Sequence, residues 1–510
     1  MPAKTIMVQG TASHAGKSVL AAALCRIFYQ DGYRVAPFKS QNMALNSFVT
    51  ADGGEMGRAQ VVQAEAAGIA PAVEMNPILL KPTGESASQV VVMGRPLDNY
   101  TAQSYHKEMA GRLWDVVTGA LDKLRRNYEI VVIEGAGSPA EVNLQDTEIV
   151  NMRVAREAGA PVLLVADIDR GGVLASVVGT LELLDPADRE RIKGVIINKF
   201  RGDVGLFRPA VDFLERKTRV PVCGVVPHFD DLYIMDEDSV VMEKKNYRAA
   251  EDDSRLEIAV LRIPRISNFT DFDPLESESD VYLRYVGRDN PLGEPDMVII
   301  PGSKNTVEDL IYLKQTGLAG EIVGLARKGV PVAGICGGFQ MLGMELSDPE
   351  GAESGVESIS GLGLVDMKTV FARDKITTQV RAQVTGEGEF LGGYAGEVAG
   401  YEIHMGRTEL GPGAKHAFLI KQRSGRAVTL PDGGTAFGGN VWGTYIHGVF
   451  DDDGFRRHVI NRLKRRKGLD VTEREPETGA LARRQREYDR LARLVRNSLD
   501  MNLIYNLLGR

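Results

Sequence analysis

The sequence predicts an α/β chain of two doubly wound domains followed by a helical tail. Three observations carry that prediction. Short apolar runs alternate with amphipathic segments through the first 230 residues, the rhythm of a parallel sheet with helices on both faces. A second strand series begins near residue 258, beyond a charged stretch at 242–255 that reads as a linker. At 510 residues, the chain is too long for a single core.

The first series places buried strands at 6–8, 35–38, 130–133, 162–165, 195–197 and 222–225, with helical patterns at 18–31 and 101–126. The second places strands at 258–263, 297–300 and 332–335 and a β-rich part at 361–445. Residues 347–361 read as a surface loop, and the chain turns helical after Asp451-Asp452-Asp453. The expected organisation is therefore 1–241 and 256–455 as domains, joined by 242–255, with 456–510 as an extension. In that extension an imperfect stripe of Leu491, Leu494, Val495, Leu499 and Met501–Leu503 reads as packing.

Composition excludes several classes. Net charge is −8, against a general nucleic-acid surface. The charge is uneven: 456–510 carries +8 and the rest −16, so the basic tail is read as a helix face packed on an acidic body. No apolar stretch is long enough to span a bilayer, and a strand and turn directly follow the N-terminus, so neither a membrane span nor a cleavable signal is expected. Three scattered cysteines, Cys25, Cys223 and Cys336, form no disulfide framework or zinc site and suggest a reducing, cytoplasmic setting.

Two turns carry chemistry. Gly10-Thr11-Ala12-Ser13-His14-Ala15-Gly16-Lys17-Ser18 links a predicted strand to a predicted helix. Such a loop aims backbone N–H groups and a helix N-terminus at a phosphate. Lys17 can neutralise β/γ charge, and the Ser18 hydroxyl can ligate Mg²⁺. The first glycine stands one residue earlier than in the commonest phosphate-loop spacing, with Thr11 in its place. An acid at a neighbouring strand end should complete the metal site. Glu134 has that position, and Asp52 is a weaker candidate. Asn198-Lys199 resembles a base-reading turn.

The other turn is Gly334-Ile335-Cys336-Gly337-Gly338-Phe339-Gln340, after an apolar run. Flanking glycines permit a crowded, strained turn that presents the thiol at a helix N-terminus, where thiolate is favoured. The N–H of Gly337 is an oxyanion donor, and a second can come from the Pro301-Gly302-Ser303-Lys304-Asn305 loop. Cys25 and Cys223 lack that setting and read as core. A cysteine nucleophile requires a base. His447 is the best placed, at the end of a β-like run, with His404 next. His14 and His228 belong with the first domain, and His106, His416 and His458 read as surface residues.

The second half, on Cys336 and His447, resembles the class I glutamine amidotransferases, whose Cys–His pair hydrolyses glutamine to ammonia. The first half is similar to dethiobiotin-synthetase-like ATPases, which use an offset phosphate loop. Together with Lys39-Ser40-Gln41-Asn42-Met43, Asn76-Pro77-Ile78-Leu79-Leu80-Lys81-Pro82, Ser88-Gln89-Val90-Val91-Val92, Glu134-Gly135-Ala136-Gly137-Ser138-Pro139-Ala140-Glu141 and Ala166-Asp167-Ile168-Asp169-Arg170-Gly171-Gly172, the combination resembles the cobyric acid synthase family across nearly the whole chain.

That resemblance implies a P-loop ATPase-like sheet and a flavodoxin-like amidotransferase domain. It implies ATP and Mg²⁺ as cofactors, and L-glutamine and the corrinoid adenosylcobyrinic a,c-diamide as substrates. Thr11, Ser13, Gly16, Lys17, Ser18 and Asn198 would bind ATP; Ser18, Glu134 and Asp52 the metal; Gly302, Gly337 and Gln340 the oxyanion and glutamine. No nucleic acid or membrane partner is implied, and a homo-oligomer is left open. The usual third member of the amidotransferase triad, a Glu two residues after the His, is Val449 here. Glu402 or a backbone carbonyl is left to orient His447. The related alternative is a cobyrinic acid a,c-diamide synthase; the unrelated one is a non-catalytic partition-type ATPase on an inactive amidotransferase scaffold.

Overall fold

The computed structural model describes residues 2–83, 87–105, 109, 111–145, 147–229, 254–471 and 479–510. His106, most of the 242–255 linker and the final part of the 1–241 segment lie outside the described residues.

The nucleotide-type domain is built on six parallel strands in the order Val222–Pro227, Ile192–Phe200, Val162–Asp167, Lys4–Gly10, Ile130–Glu134, Val35–Phe38. These are the six apolar runs of the sequence, and all but the edge strand Val222–Pro227 are buried on both faces, as parallel strands under helices are. Lys4–Gly10 is central. The chain leaves it through the phosphate loop into the helix Lys17–Gln30, and Val8 pairs with Glu134 on the next strand. Loop and acid thus share the carboxyl edge of the sheet, where ligands of open α/β sheets bind.

The expected helix over 101–126 is shorter. The strand Arg95–Thr101 occupies its start, and the main helix is Trp114–Asn127. That strand closes a second, four-stranded sheet with Gln41–Met43, Ile78–Pro82 and Ala87–Val92. A hairpin of Ser47–Val49 and Glu55–Gly57 projects beside it.

The second domain has its own sheet in the order Val281–Val286, Leu256–Leu261, Met297–Ile300, Val332–Ile335, Val441–Thr444, with Gly434–Ala436 antiparallel at the edge. Cys336 follows the strand flanked by Met297–Ile300 and Val441–Thr444. The β-rich part forms another sheet around the long antiparallel pair Met367–Val384 and Glu397–Leu410, to which Ile446–His447 adds.

The basic tail behaves as its charge predicts, but it serves both domains. Asp453–Lys467 packs on the second domain, where Arg457 and Lys464 meet Asp280 and Lys467 meets Asp296. Residues 472–478 lie outside the described residues. Ala480–Ser498 then lies on the first domain's helix Lys17–Gln30, with Arg26 on Asp489 at 2.8 Å and Arg496 on Asp31 at 2.8 Å. The buried Leu491, Val495 and Leu499 of the stripe share a core with Leu20, Leu24 and Phe28.

Candidate active sites

At the phosphate loop, tight backbone geometry requires particular residues. Gly16 has φ 100°, and a Cβ there would lie 2.1 Å from Asn198 Nδ2. His14 also has positive φ, at 60°. Lys17 Nζ donates to the carbonyls of Ala12 and Gly137, each at 3.0 Å, so it spans the loop and the turn after Glu134. Ser18 Oγ donates to Glu134 Oε1 at 2.7 Å. Glu134 is buried and also receives Lys39 Nζ at 2.8 Å and Gln63 Nε2 at 2.5 Å. Burial alone would raise the proton affinity of Glu134; Lys39 and the other donors overcome this and hold it below the usual carboxylate value.

One sequence reading changes here, that of Asp52, and two loop-side residues take structural bonds. Asp52 is exposed at the tip of the 47–57 hairpin, hydrogen-bonded by Thr50, and joins neither Ser18 nor Glu134 among the described residues. The Thr11 N–H donates to Val165 O at 2.9 Å and so continues the sheet. Asn198 is buried under the loop and donates to Ala15 O at 2.9 Å, while Lys199 Nζ holds His14 O and Asp167, both at 2.7 Å. The Asn198-Lys199 turn therefore braces the phosphate loop from behind. Ser13 is exposed on the loop.

The cysteine turn has the anticipated form. Cys336 has φ 52° and ψ −108°, a strained backbone that costs about 1–3 kcal/mol. The five-residue helix Gly337–Met341 follows. A Cβ on Gly338 would lie 2.0 Å from Ile300 O, and one on Gly337 would lie 2.9 Å from Ser303 N. The neighbouring strand thus crowds the turn, and Gly337 lies against the Ser303 amide. Gly302 instead faces the base: its Cβ would come within 3.0 Å of His447 Cε1. The Gln340 amide is engaged, accepting from Thr306 Oγ1 at 3.0 Å and donating to Tyr445 OH at 3.1 Å, so it braces the wall beside the thiol.

His447 is fully buried, and its Nδ1 lies 2.6 Å from Asp271 Oδ2. The other Asp271 oxygen accepts Gly448 N–H at 3.1 Å. Burial alone would lower the imidazole's proton affinity, but Asp271, and then Cys336, reverse that and lift it to about 10. The ring is stacked on Tyr401, with centroids 5.3 Å apart.

Asp271 is the group that sequence reasoning missed, and Glu402 is not it. Tyr401 pairs with His447 and Glu402 with Ile446 in the antiparallel ladder. Side chains alternate along a strand, so Tyr401 faces the imidazole and Glu402 the opposite side. There Glu402 binds Arg423 at 2.8 and 2.9 Å. His404 is likewise occupied, stacked on Tyr445 and bonded through Nδ1 to Gly406 O at 2.9 Å. His458 is half-buried against Tyr394 rather than free on the surface. Cys25 and Cys223 are buried, and burial pushes both thiols up, Cys223 to about 12.

The first domain reaches this site. Asn46 Oδ1 accepts Phe269 N–H at 3.0 Å, and Asn268 Oδ1 accepts Ser47 N–H at 2.9 Å. Tyr401 OH donates to Ser47 O at 3.2 Å. Cys336 opens on a cavity of about 420 Å³ lined from both domains, including Lys81 and Gln89 of the first. The presumed surface loop is part of its wall: 351–355 line the cavity, held by three N–H bonds from residues 352–354 to the Asp348 carboxylate.

Residues 6–240 match the family described as CobQ/CobB/MinD/ParA nucleotide binding domain, and residues 257–455 the CobB/CobQ-like glutamine amidotransferase domain. The chain is 56% identical over 511 residues to cobyric acid synthase of Pelotomaculum thermopropionicum, covering 99% of this chain and 97% of the relative. It is 57% identical to that of Moorella thermoacetica over 99% and 98% of the two chains. The corresponding figures for Sorangium cellulosum are 52%, 100% and 99%. With a nucleotide-binding sheet, an amidotransferase domain and end-to-end relatives of one kind, the chain belongs to the cobyric acid synthase family.

Proposed function

We propose that this chain uses ATP and glutamine to amidate the b, d, e and g carboxylates of adenosylcobyrinic a,c-diamide, giving adenosylcobyric acid. The observation that carries the reading is the pairing of Asp271 and His447 beside Cys336, on a cavity that the nucleotide domain helps to wall.

In this reading the Cys336 sulfur attacks the glutamine side-chain amide carbon. The developing oxyanion meets the Gly337 amide and a second donor from the 302–303 turn. His447 carries the thiol proton to the leaving nitrogen, and Asp271 fixes the tautomer and stabilises the imidazolium. Ammonia leaves, and water clears the thioester to glutamate. A carboxylate is a poor acceptor because attack would expel oxide. Transfer of the ATP γ-phosphoryl group to a corrin carboxylate makes an acyl phosphate, which ammonia converts to the amide with release of phosphate. Ammonia must arrive unprotonated, which calls for a path enclosed between the domains.

The residues present fit a magnesium ion: a hydroxyl and a carboxylate, Ser18 and Glu134, stand together at the phosphate loop, and hard oxygen donors suit that ion. When bound it would supply charge neutralisation at the β- and γ-phosphates. Lys17 supplies positive charge from this chain's own side, and Asn198 with Lys199 holds the loop in register.

Two variants and one product assay test the proposal. Cys336→Ala should lose glutamine-dependent synthesis yet retain activity with high free ammonia. Lys17→Ala should lose both. Mass spectrometry of the corrinoid should show four amides gained with glutamine and ATP. Loss of both activities in folded Cys336→Ala, or normal turnover by Lys17→Ala, contradicts the division of labour.

A further inference from the structure

Asp271 fixes only one point of the His447 ring. It holds Nδ1 at 2.6 Å and leaves Nε2 for Cys336. An imidazole held at one nitrogen and at its own Cβ can still tilt, and tilting swings the Nε2 lone pair away from the thiol. A flat group against the ring face removes that freedom. Tyr401 is such a group. Its ring lies 5.3 Å from the imidazole, centroid to centroid, with 18° between the planes. Two residues on, the Ile403 carbonyl accepts the Cys336 thiol at 3.5 Å. One stretch of the strand Glu397–Leu410 therefore meets both the base and the nucleophile.

Tyr401 is held in turn from the nucleotide domain. Its buried hydroxyl donates to Ser47 O at 3.2 Å. The Phe48 ring meets it edge to face, with centroids 5.3 Å apart and 61° between the planes. The Arg58 guanidinium lies over Phe48, 5.3 Å from its centroid. Ser47 is itself fixed: its N–H donates to Asn268 Oδ1 at 2.9 Å, and its hydroxyl accepts from Lys81 Nζ at 2.9 Å. Val49 shares a small buried core with Tyr401 and Ile403. We propose that Tyr401 is a positioning residue for glutamine hydrolysis, holding the plane of the His447 imidazole, and that Ser47 and Phe48 of the nucleotide domain hold Tyr401. The inference rests on the reading of Cys336 and His447 as the hydrolytic pair. It adds that the base is aligned across the domain boundary. Without Ser47 and Phe48, the amidotransferase domain keeps its reactive residues but loses the support that orients one of them.

The test measures ammonia release from L-glutamine by the full chain and its variants. Tyr401→Leu keeps bulk but removes the flat face. Its kcat should fall about 10- to 100-fold, the effect of a misaligned base, while KM for glutamine stays within about twofold. Tyr401→Phe restores the face and should recover kcat to within about fivefold of the wild type, the remaining deficit being the lost bond to Ser47. Phe48→Leu, on the other domain, should lower the same kcat about threefold to tenfold. It carries the test should Tyr401→Leu not fold. In an Asp271→Asn background, Tyr401→Leu should cost less than about threefold more, because both residues act through one imidazole; independent losses multiply instead. Ammonia-dependent amidation should be unchanged throughout, which also reports that the variants are folded. A raised KM with kcat intact in Tyr401→Leu, no recovery in Tyr401→Phe, or full multiplication in the double variant overturns the positioning role. Equal loss with glutamine and with ammonia in Tyr401→Leu overturns it as well, as a packing defect. A wild-type kcat in Phe48→Leu overturns the support from the nucleotide domain. No ammonia release from glutamine by the wild type is a different failure, that of the hydrolytic pair itself, and needs no variant to be seen.

Discussion

Asp271 and His447 are 176 positions apart in the chain and 2.6 Å apart in the fold. The bond joins a short turn, Phe269–Phe272, to the end of the β-run that carries the histidine. It supplies the acid that Val449 does not. Asp271→Asn should therefore lower glutamine-dependent activity about 100-fold or more, because the amide no longer favours the productive tautomer or an imidazolium. Activity with free ammonia should be unaffected, and steady-state assays with each nitrogen source check both.

The same pair gives a pH dependence. The folded-state proton affinity of His447 is raised to about 10, above an unfolded value near 6.5. A raised group contributes stability in full below the unfolded value, and the contribution is lost as pH climbs toward the folded one. The wild type should thus lose more thermal stability between pH 6.5 and 10 than Asp271→Asn, which lacks the main cause that raises the group. Melting curves across that range measure the difference.

Asn46 is a contact made by one domain on the other's catalytic turn. Its side chain caps Phe269 N–H, two residues before Asp271. Asn46→Ala leaves that buried donor unpaired, at a cost of about 1–3 kcal/mol. Glutamine-dependent kcat should fall several-fold as the Asp271 turn loosens, with ammonia-dependent turnover preserved. Equal loss of both would instead indicate damage at the phosphate site.

At that site, Glu134→Gln retains shape but removes the charge beside Ser18. The Mg²⁺ concentration for half-maximal synthesis should rise by about tenfold or more, because in the proposed site Glu134 would be the charged ligand of the ion. A magnesium titration with ammonia as nitrogen donor isolates the effect from glutamine chemistry.

Legibility in the sequence followed distance along the chain. The phosphate loop and the cysteine turn are local: strand, glycine turn and helix lie within a dozen residues, and every strand expected in the two parallel sheets is present. Asp271 had no such mark. Nothing around Asn268-Phe269-Thr270-Asp271 distinguishes it from an ordinary capping turn, and only packing of the two β-segments brings it to His447. Asp52 failed for the converse reason. Its loop does follow Lys39, but the chain folds away as a hairpin against the other domain, where Gln379 Nε2 donates to Val49 O at 3.0 Å. The wall formed by 351–355 was hidden in a Gly/Ser/Glu-rich stretch that is held by the Asp348 carboxylate and by Asn305 and Thr306 on Glu353.

The tail has a mechanical consequence. The chain passes from the first domain to the second between residues 229 and 254, and returns between 471 and 479 to lay Ala480–Ser498 on the helix that begins at the phosphate loop. The second domain is therefore tied to the first on both sides of its own sequence, and a cut between residues 229 and 254 would leave the second fragment gripping the first by its final helices.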